Sequence, residues 1–163
     1  MWSVAMTMRP LPWLLALALS LAACSKEPTR WDQAASSKPT AITAEGSKPG
    51  SAFNKFFPAD NTDGHSRVYT AEKPGYAEAK LKKDGKDVAV LSISDTLNEP
   101  DAKGKFASAS DKVQGHPLVT VGKNQSALLV KDRYQVKVSS QALDAEARKA
   151  WLARFDLAGL AGL

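Results

Sequence analysis

The chain predicts an α+β domain: an antiparallel sheet of about six strands with two helices on one face. Three observations predict it. Short alternating apolar runs recur between turn residues, the Asp84-Gly85 pair favours a tight type I′ hairpin, and the C-terminal stretch carries apolar residues at helical spacing. Alternation buries one sheet face, so helices with an apolar stripe are the natural cover for it.

The elements follow in order. Phe53 and Phe57 stand at helical i,i+4 spacing, and Pro58 ends any such turn. After the polar loop Asp60-Asn61-Thr62-Asp63-Gly64, residues Arg67–Glu72 form the first strand, closed by Lys73-Pro74-Gly75. Tyr76–Lys83 and Lys86–Ser94 flank Asp84-Gly85. An ideal two-residue turn sets Lys83 opposite Lys86, Leu81 opposite Val88 and Ala79 opposite Val90, and places these four apolar residues on one face. Ala89, Leu91 and Ile93 then lie on the other face, beside Lys80, Glu78 and Tyr76. A short helix is expected near Pro100, with Ala102, Phe106 and Ala109 inward, although Gly104 weakens it. Leu118–Val121, Ser126–Lys131 and Tyr134–Ser139 are the second strand set. The closing helix runs from about Asp144 to Phe155, with Ala147, Trp151 and Phe155 in its stripe and Leu152 beside them. Asp156 caps a last turn carrying Leu157, Leu160 and Leu163. The two strand sets look alike, so two βββα units are one reading. Lys-Asp turns between alternating strands also arise by chance, and duplication stays open.

Composition narrows the function classes. The chain has 163 residues, of which 44% are hydrophobic and 24% charged, and its formal net charge is +5. That length suggests one domain. Lys alternates with Asp and Glu along most of the chain, and the densest cluster, Lys80, Lys82, Lys83 and Lys86, straddles Asp84 and Asp87. A nucleic-acid surface concentrates its cations, so no nucleic-acid partner is expected. One cysteine permits no intrachain disulfide.

That cysteine has a telling position. Residues 11–21 are apolar and follow the lone cation Arg9; the run is too short to span a bilayer, which needs about 20 apolar residues. Small residues Ala22 and Ala23 come next. The sequence Leu21-Ala22-Ala23-Cys24 resembles the lipobox of bacterial lipoproteins. The resemblance implies cleavage between Ala23 and Cys24, a diacylglyceryl group on the Cys24 thiol, and Cys24 as the first residue of the mature protein. Two or more acyl chains give stable anchoring, whereas one gives marginal binding. Ser25 stands where the family's sorting pattern retains Asp in the inner membrane. The resemblance therefore implies an outer-membrane anchor facing the periplasm, with the inner membrane as the alternative. Loss of Arg9 takes the net charge to +4.

Three segments result: a signal over 1–23, a lipidated tether over 24–51, and an α+β domain over 52–163. The tether is rich in Ser, Thr, Lys, Pro, Ala and Gly without apolar periodicity. Flexible-chain scaling gives it a reach of roughly 30 Å. Trp31 departs from this composition and is open to three readings: packing on the domain, a seat in the headgroup layer, or contact with a partner.

The inventory for catalysis is poor. Lipid occupies the only thiol, and His65 and His116 are the only neutral-pH proton carriers, both expected in turns. No G-x-S-x-G elbow occurs. Asp60, Asp63 and His65, with His116, are the one candidate metal set, but the loop lacks the alternating oxygens of an EF-hand and turn chemistry explains its residues. No catalytic residue, metal or cofactor is therefore expected. Trp151, Phe155, Phe106, Phe53 and Phe57 could line a lipid groove, although such residues are more often plain core. The leading expectation is a non-enzymatic domain that binds an unidentified envelope protein; the alternative is a module for a lipid or small hydrophobic ligand.

Overall fold

The computed structural model describes residues 44–163. Cys24, Ala23 and Trp31 lie outside the described residues. Seven strands form one antiparallel sheet: β1 (His65–Lys73), β2 (Tyr76–Lys83), β3 (Lys86–Asp95), β4 (Asp111–Val113), β5 (His116–Val121), β6 (Gln125–Val130) and β7 (Tyr134–Ser139). Their order across the sheet is β1-β2-β3-β7-β6-β5-β4. Two meanders therefore meet at their last strands, and their first strands form the two edges. The α+β class stands, with one strand more than expected. The extra strand, β4, has the sequence Asp-Lys-Val, too short and too polar for alternation to reveal. What marks it is its turn, in which Gln114 and Gly115 take φ values of 50° and 84°.

The two meanders are unequal, so two matching βββα units do not form. Three strands precede a 3-10 helix, η2 (Pro100–Phe106); four strands precede the α-helices α1 (Ala145–Leu152) and α2 (Leu157–Ala161). Asp144 caps α1 by accepting from Ala147 N, and Asp156 caps α2 by accepting from Gly159 N, as the helix-start pattern predicts. Phe155 falls just past the end of α1.

Nor do the helices share one face. A 3-10 helix at the start, η1 (Gly50–Phe56), packs with α1 and α2 on the inner face, where Phe53, Phe57, Leu91, Ile93, Leu128, Val136, Trp151 and Leu152 join one core. η2 lies on the outer face, with Phe106 against Ala127 and Leu129. The reason is visible in β6. Ala127 and Leu129 point one way, Leu128 and Val130 the other, and all four are buried. A strand apolar at both parities needs cover on both sides.

The β2–β3 hairpin corrects the expected register. Asp84 and Gly85 adopt the type I′ signs, with φ 50° and 75°, and Lys83 opposes Lys86. The pairing then shifts: Lys82 opposes Asp87, but Leu81 opposes Ala89 and Ala79 opposes Leu91. Val88 is the extra residue of a β-bulge. Because side chains alternate, one inserted residue exchanges the two faces. Ala89, Leu91 and Ile93 enter the core with Ala77, Ala79 and Leu81, while Val88 and Val90 are only half-buried. The bulge thus buries the longer apolar series of β3.

The sheet curls around its helices until both edges meet the end of α1. The His65 ring of β1 stands 5.1 Å from Trp151, edge-on, and Gln114 Nε2 before β5 donates to Ala153 O at 2.8 Å.

Candidate functional site

The sheet has two chemically different ends. At one lie the β1–β2 turn, the end of β3 and the β6–β7 turn. At the other lie the β2–β3 turn, the β5–β6 turn and the end of β7.

The first end receives the chain from its N-terminal side. Asp95, 1% exposed, takes a bidentate contact from Arg133: Nη2 to Oδ2 at 2.7 Å and Nε to Oδ1 at 3.1 Å. Arg133 Nη2 also donates to Gly46 O at 2.8 Å. Asn98 Oδ1 accepts from Ala44 N and from Ser47 Oγ, each at 2.8 Å, and Gly75 N donates to Lys48 O at 2.6 Å. Gly50 packs so closely that a Cβ there would sit 2.6 Å from both the N and the O of Lys73. The expected boundary after Ser51 therefore falls inside the folded unit. Residues Ala44–Ser51 are too polar to read as part of a domain, because backbone and amide hydrogen bonds hold them and no apolar pattern does.

The second end carries a notch of about 670 Å³, open to solvent. Its walls are Asp87–Val90 of β3 and Asn124 with Gln125 at the start of β6; Ser139–Ala142 closes it. The cause is a mismatch of strand lengths. β3 pairs with β2 from Lys86 onward, but with β7 only from Val90, because β7 stops at Ser139. Ser140 seals the inner end of the gap: its Oγ donates to Val88 O at 2.6 Å, its N donates to Asn124 O at 2.8 Å, and its Oγ accepts from Ala142 N and Leu143 N. Beside the notch, Asp87 takes both Lys80 and Lys82, whose Nζ atoms lie 2.5 and 2.9 Å from its carboxylate. These cations hold the Asp87 carboxyl below its ordinary value, the Lys80 hydrogen bond contributing most. Lys83, Lys86 and Lys123 are exposed and join no ion pair among the described residues. Sequence reasoning singled out the lysines but not Asn124, Gln125, Ser140 or Gln141. Their only signal is a polar run after a strand, and the unequal strand lengths that make the notch leave none.

Of the residues considered for metal or acid–base work, Asp60, Asp63 and His65 have local partners. Asp60 Oδ1 accepts from Arg67 N at 2.7 Å, and that bond is the main cause holding its carboxyl below the usual range. Asp63 pairs with Arg154, whose guanidinium lies over Trp151 at 4.5 Å. His65 Nδ1 lies 2.9 Å from Asp63 O; a carbonyl only accepts, so Nδ1 carries the proton. Neither histidine is in a turn: His65 opens β1, and His116 opens β5 opposite Val113. Among the described residues no three His, Cys, Asp or Glu side chains are grouped to hold a metal. The five aromatic candidates for a lipid groove are divided: Phe53, Phe57, Trp151 and Phe155 belong to the inner core and Phe106 to the outer one.

On the open outer face, Tyr76 Oη donates to Glu78 Oε2 at 2.5 Å and Thr70 Oγ1 donates to Oε1 at 2.8 Å. The Tyr76 bond is the largest cause holding the Glu78 carboxyl below its ordinary value, while burial and Glu78 together push the Tyr76 hydroxyl up.

Comparison with protein-family models, with curated proteins and with solved structures finds no match to this chain.

Proposed function

We propose that the chain is a lipid-anchored envelope protein of the outer membrane, facing the periplasm, whose domain binds another envelope protein and performs no catalysis. The anchor rests on the lipobox resemblance of Leu21-Ala22-Ala23-Cys24. One structural observation carries the rest: the chain joins the domain at the end held by Asp95, Arg133 and Asn98, and the open notch with its lysines stands at the opposite end. Ten residues of β3, at about 3.3 Å each, put the two ends roughly 30 Å apart. A domain held at one end leaves the other free for a partner. The alternative, a carrier of lipid or another hydrophobic ligand, has less support, since Phe53, Phe57, Trp151 and Phe155 are packed into the inner core and Phe106 lies in the outer one.

The test is fractionation with labelling. The native chain is expected to take up radiolabelled palmitate and sediment with outer membranes, and Cys24→Ser to do neither. Equal release of the two forms would end the proposal.

A further inference from the structure

The notch lies where β7 stops short of β3. β6 begins at Gln125, level with Ser139, so beyond the end of β7 only β3 continues, with the β5–β6 turn at Asn124 facing it across the notch. From Lys86 to Ala89, β3 has β2 on one side and, among the described residues, no strand on the other. Ser140 closes the inner end through Val88 O and Asn124 O, so the outer part of the slot stays open. Amide side chains of Asn124, Gln125 and Gln141 line it, and each offers both a donor and an acceptor. The one charged residue lining it is Asp87; Lys83 and Lys86 flank the adjoining β2–β3 turn with Asp84, and Lys123 lies in the β5–β6 turn at the same end of the sheet. Asp87 is already shared between Lys80 and Lys82.

We infer that this slot takes a short extended peptide with acidic side chains, which adds as a strand beside Lys86–Ala89 in the line of β7. A free strand edge recognises main chain, whatever the sequence, and the lysine surplus selects the charge. The inference rests on the partner-binding reading above and names the chemistry of the partner's contact.

The full-length protein in detergent, titrated with a fluorescent six-residue peptide of alternating glutamate and valine, tests it by anisotropy. Binding is expected to weaken at least tenfold in the triple variant Lys83→Glu, Lys86→Glu, Lys123→Glu, whose positions are all exposed. It is also expected to vanish when alternate peptide nitrogens are methylated, since strand addition needs those N–H groups. Hydrogen exchange at Asp87–Ala89 should slow when the unmodified peptide binds. Undiminished binding of the methylated peptide, no effect of the triple variant, or no binding at millimolar peptide would each overturn the inference. Palmitate uptake on Cys24 and crosslinking in cells are read separately, so this inference can fail while the anchored-platform reading stands.

Discussion

The two ends of the sheet solve the same problem, a strand end with unpaired backbone, in opposite ways. At the end that receives the chain, Asn98 Oδ1 and Arg133 Nη2 hold the segment Ala44–Ser47, and the buried Asp95 holds Arg133 in place. At the far end β7 stops early, Ser140 secures only the inner margin, and the slot beside Lys86–Ala89 stays open. The first arrangement fixes the domain to the chain that precedes it; the second leaves hydrogen-bonding capacity for something else. Substitutions at the first end should therefore damage stability, and those at the second should damage binding alone.

The largest effect is expected from Asp95→Ala. It strips a buried carboxylate from Arg133 and leaves Leu97 N, which donates to Asp95 Oδ1 at 3.1 Å, without its acceptor. Breaking such a pair costs about 3 kcal/mol, toward the lower end of the buried range because Arg133 is partly exposed. Urea unfolding measures it, and a loss below 1 kcal/mol would show that this end is not a clamp. Gly50→Ala comes next. Its Cβ would press on the backbone of Lys73 and Tyr76, which cannot yield as a side-chain tip can, and overpacking of this kind costs about 1–3 kcal/mol.

At the far end, the Lys83, Lys86 and Lys123 reversals should change unfolding free energy by no more than about 0.5 kcal/mol. Instability in that variant would merge the two ends into one structural role. Tyr134→Phe, opposite Asp95, is the exception at the first end: it removes a buried hydroxyl that has no hydrogen-bond partner among the described residues while keeping the ring against Phe53 at 5.8 Å. The expected change is neutral to stabilising, up to about 1 kcal/mol, by thermal unfolding.

The smallest effect is a pH dependence on the outer face. The Glu78 carboxyl sits below its unfolded value, so its contribution is complete above the unfolded pKa and fades as pH falls through the folded one. Glu78→Gln should flatten the acid limb of the stability curve and leave neutral pH almost unchanged; an unaltered acid limb would show that the Tyr76 and Thr70 bonds carry no linkage.

What the sequence revealed depended on the kind of force involved. Strands β2, β3 and β7, the Asp84-Gly85 turn and the Asp144 and Asp156 caps were legible because each depends on neighbours in the chain. The Val88 bulge was not, since it is set by which face of β3 wins the core. The position of η2 was written in β6, whose apolar residues occur at both parities, but only the placement of β6 inside the sheet gives that pattern its meaning. The clamp and the notch were illegible for a further reason: Gly46 and Arg133 are 87 positions apart, and the slot exists because two distant strands differ in length. For His65 and His116 the reading was mistaken about place, as both open strands, β1 and β5, rather than lying in turns.

The central claim, a domain held at one end and engaged at the other, is tested most directly by photo-crosslinking in intact cells. A crosslinker is placed at Gln141 or at Asn124, beside the slot, and separately at Glu45, near the clamp. A discrete adduct is expected from Gln141 and Asn124, lost when Lys83, Lys86 and Lys123 are reversed, with none from Glu45. Adducts from Glu45 alone, or adducts at the slot indifferent to the lysines, would contradict it.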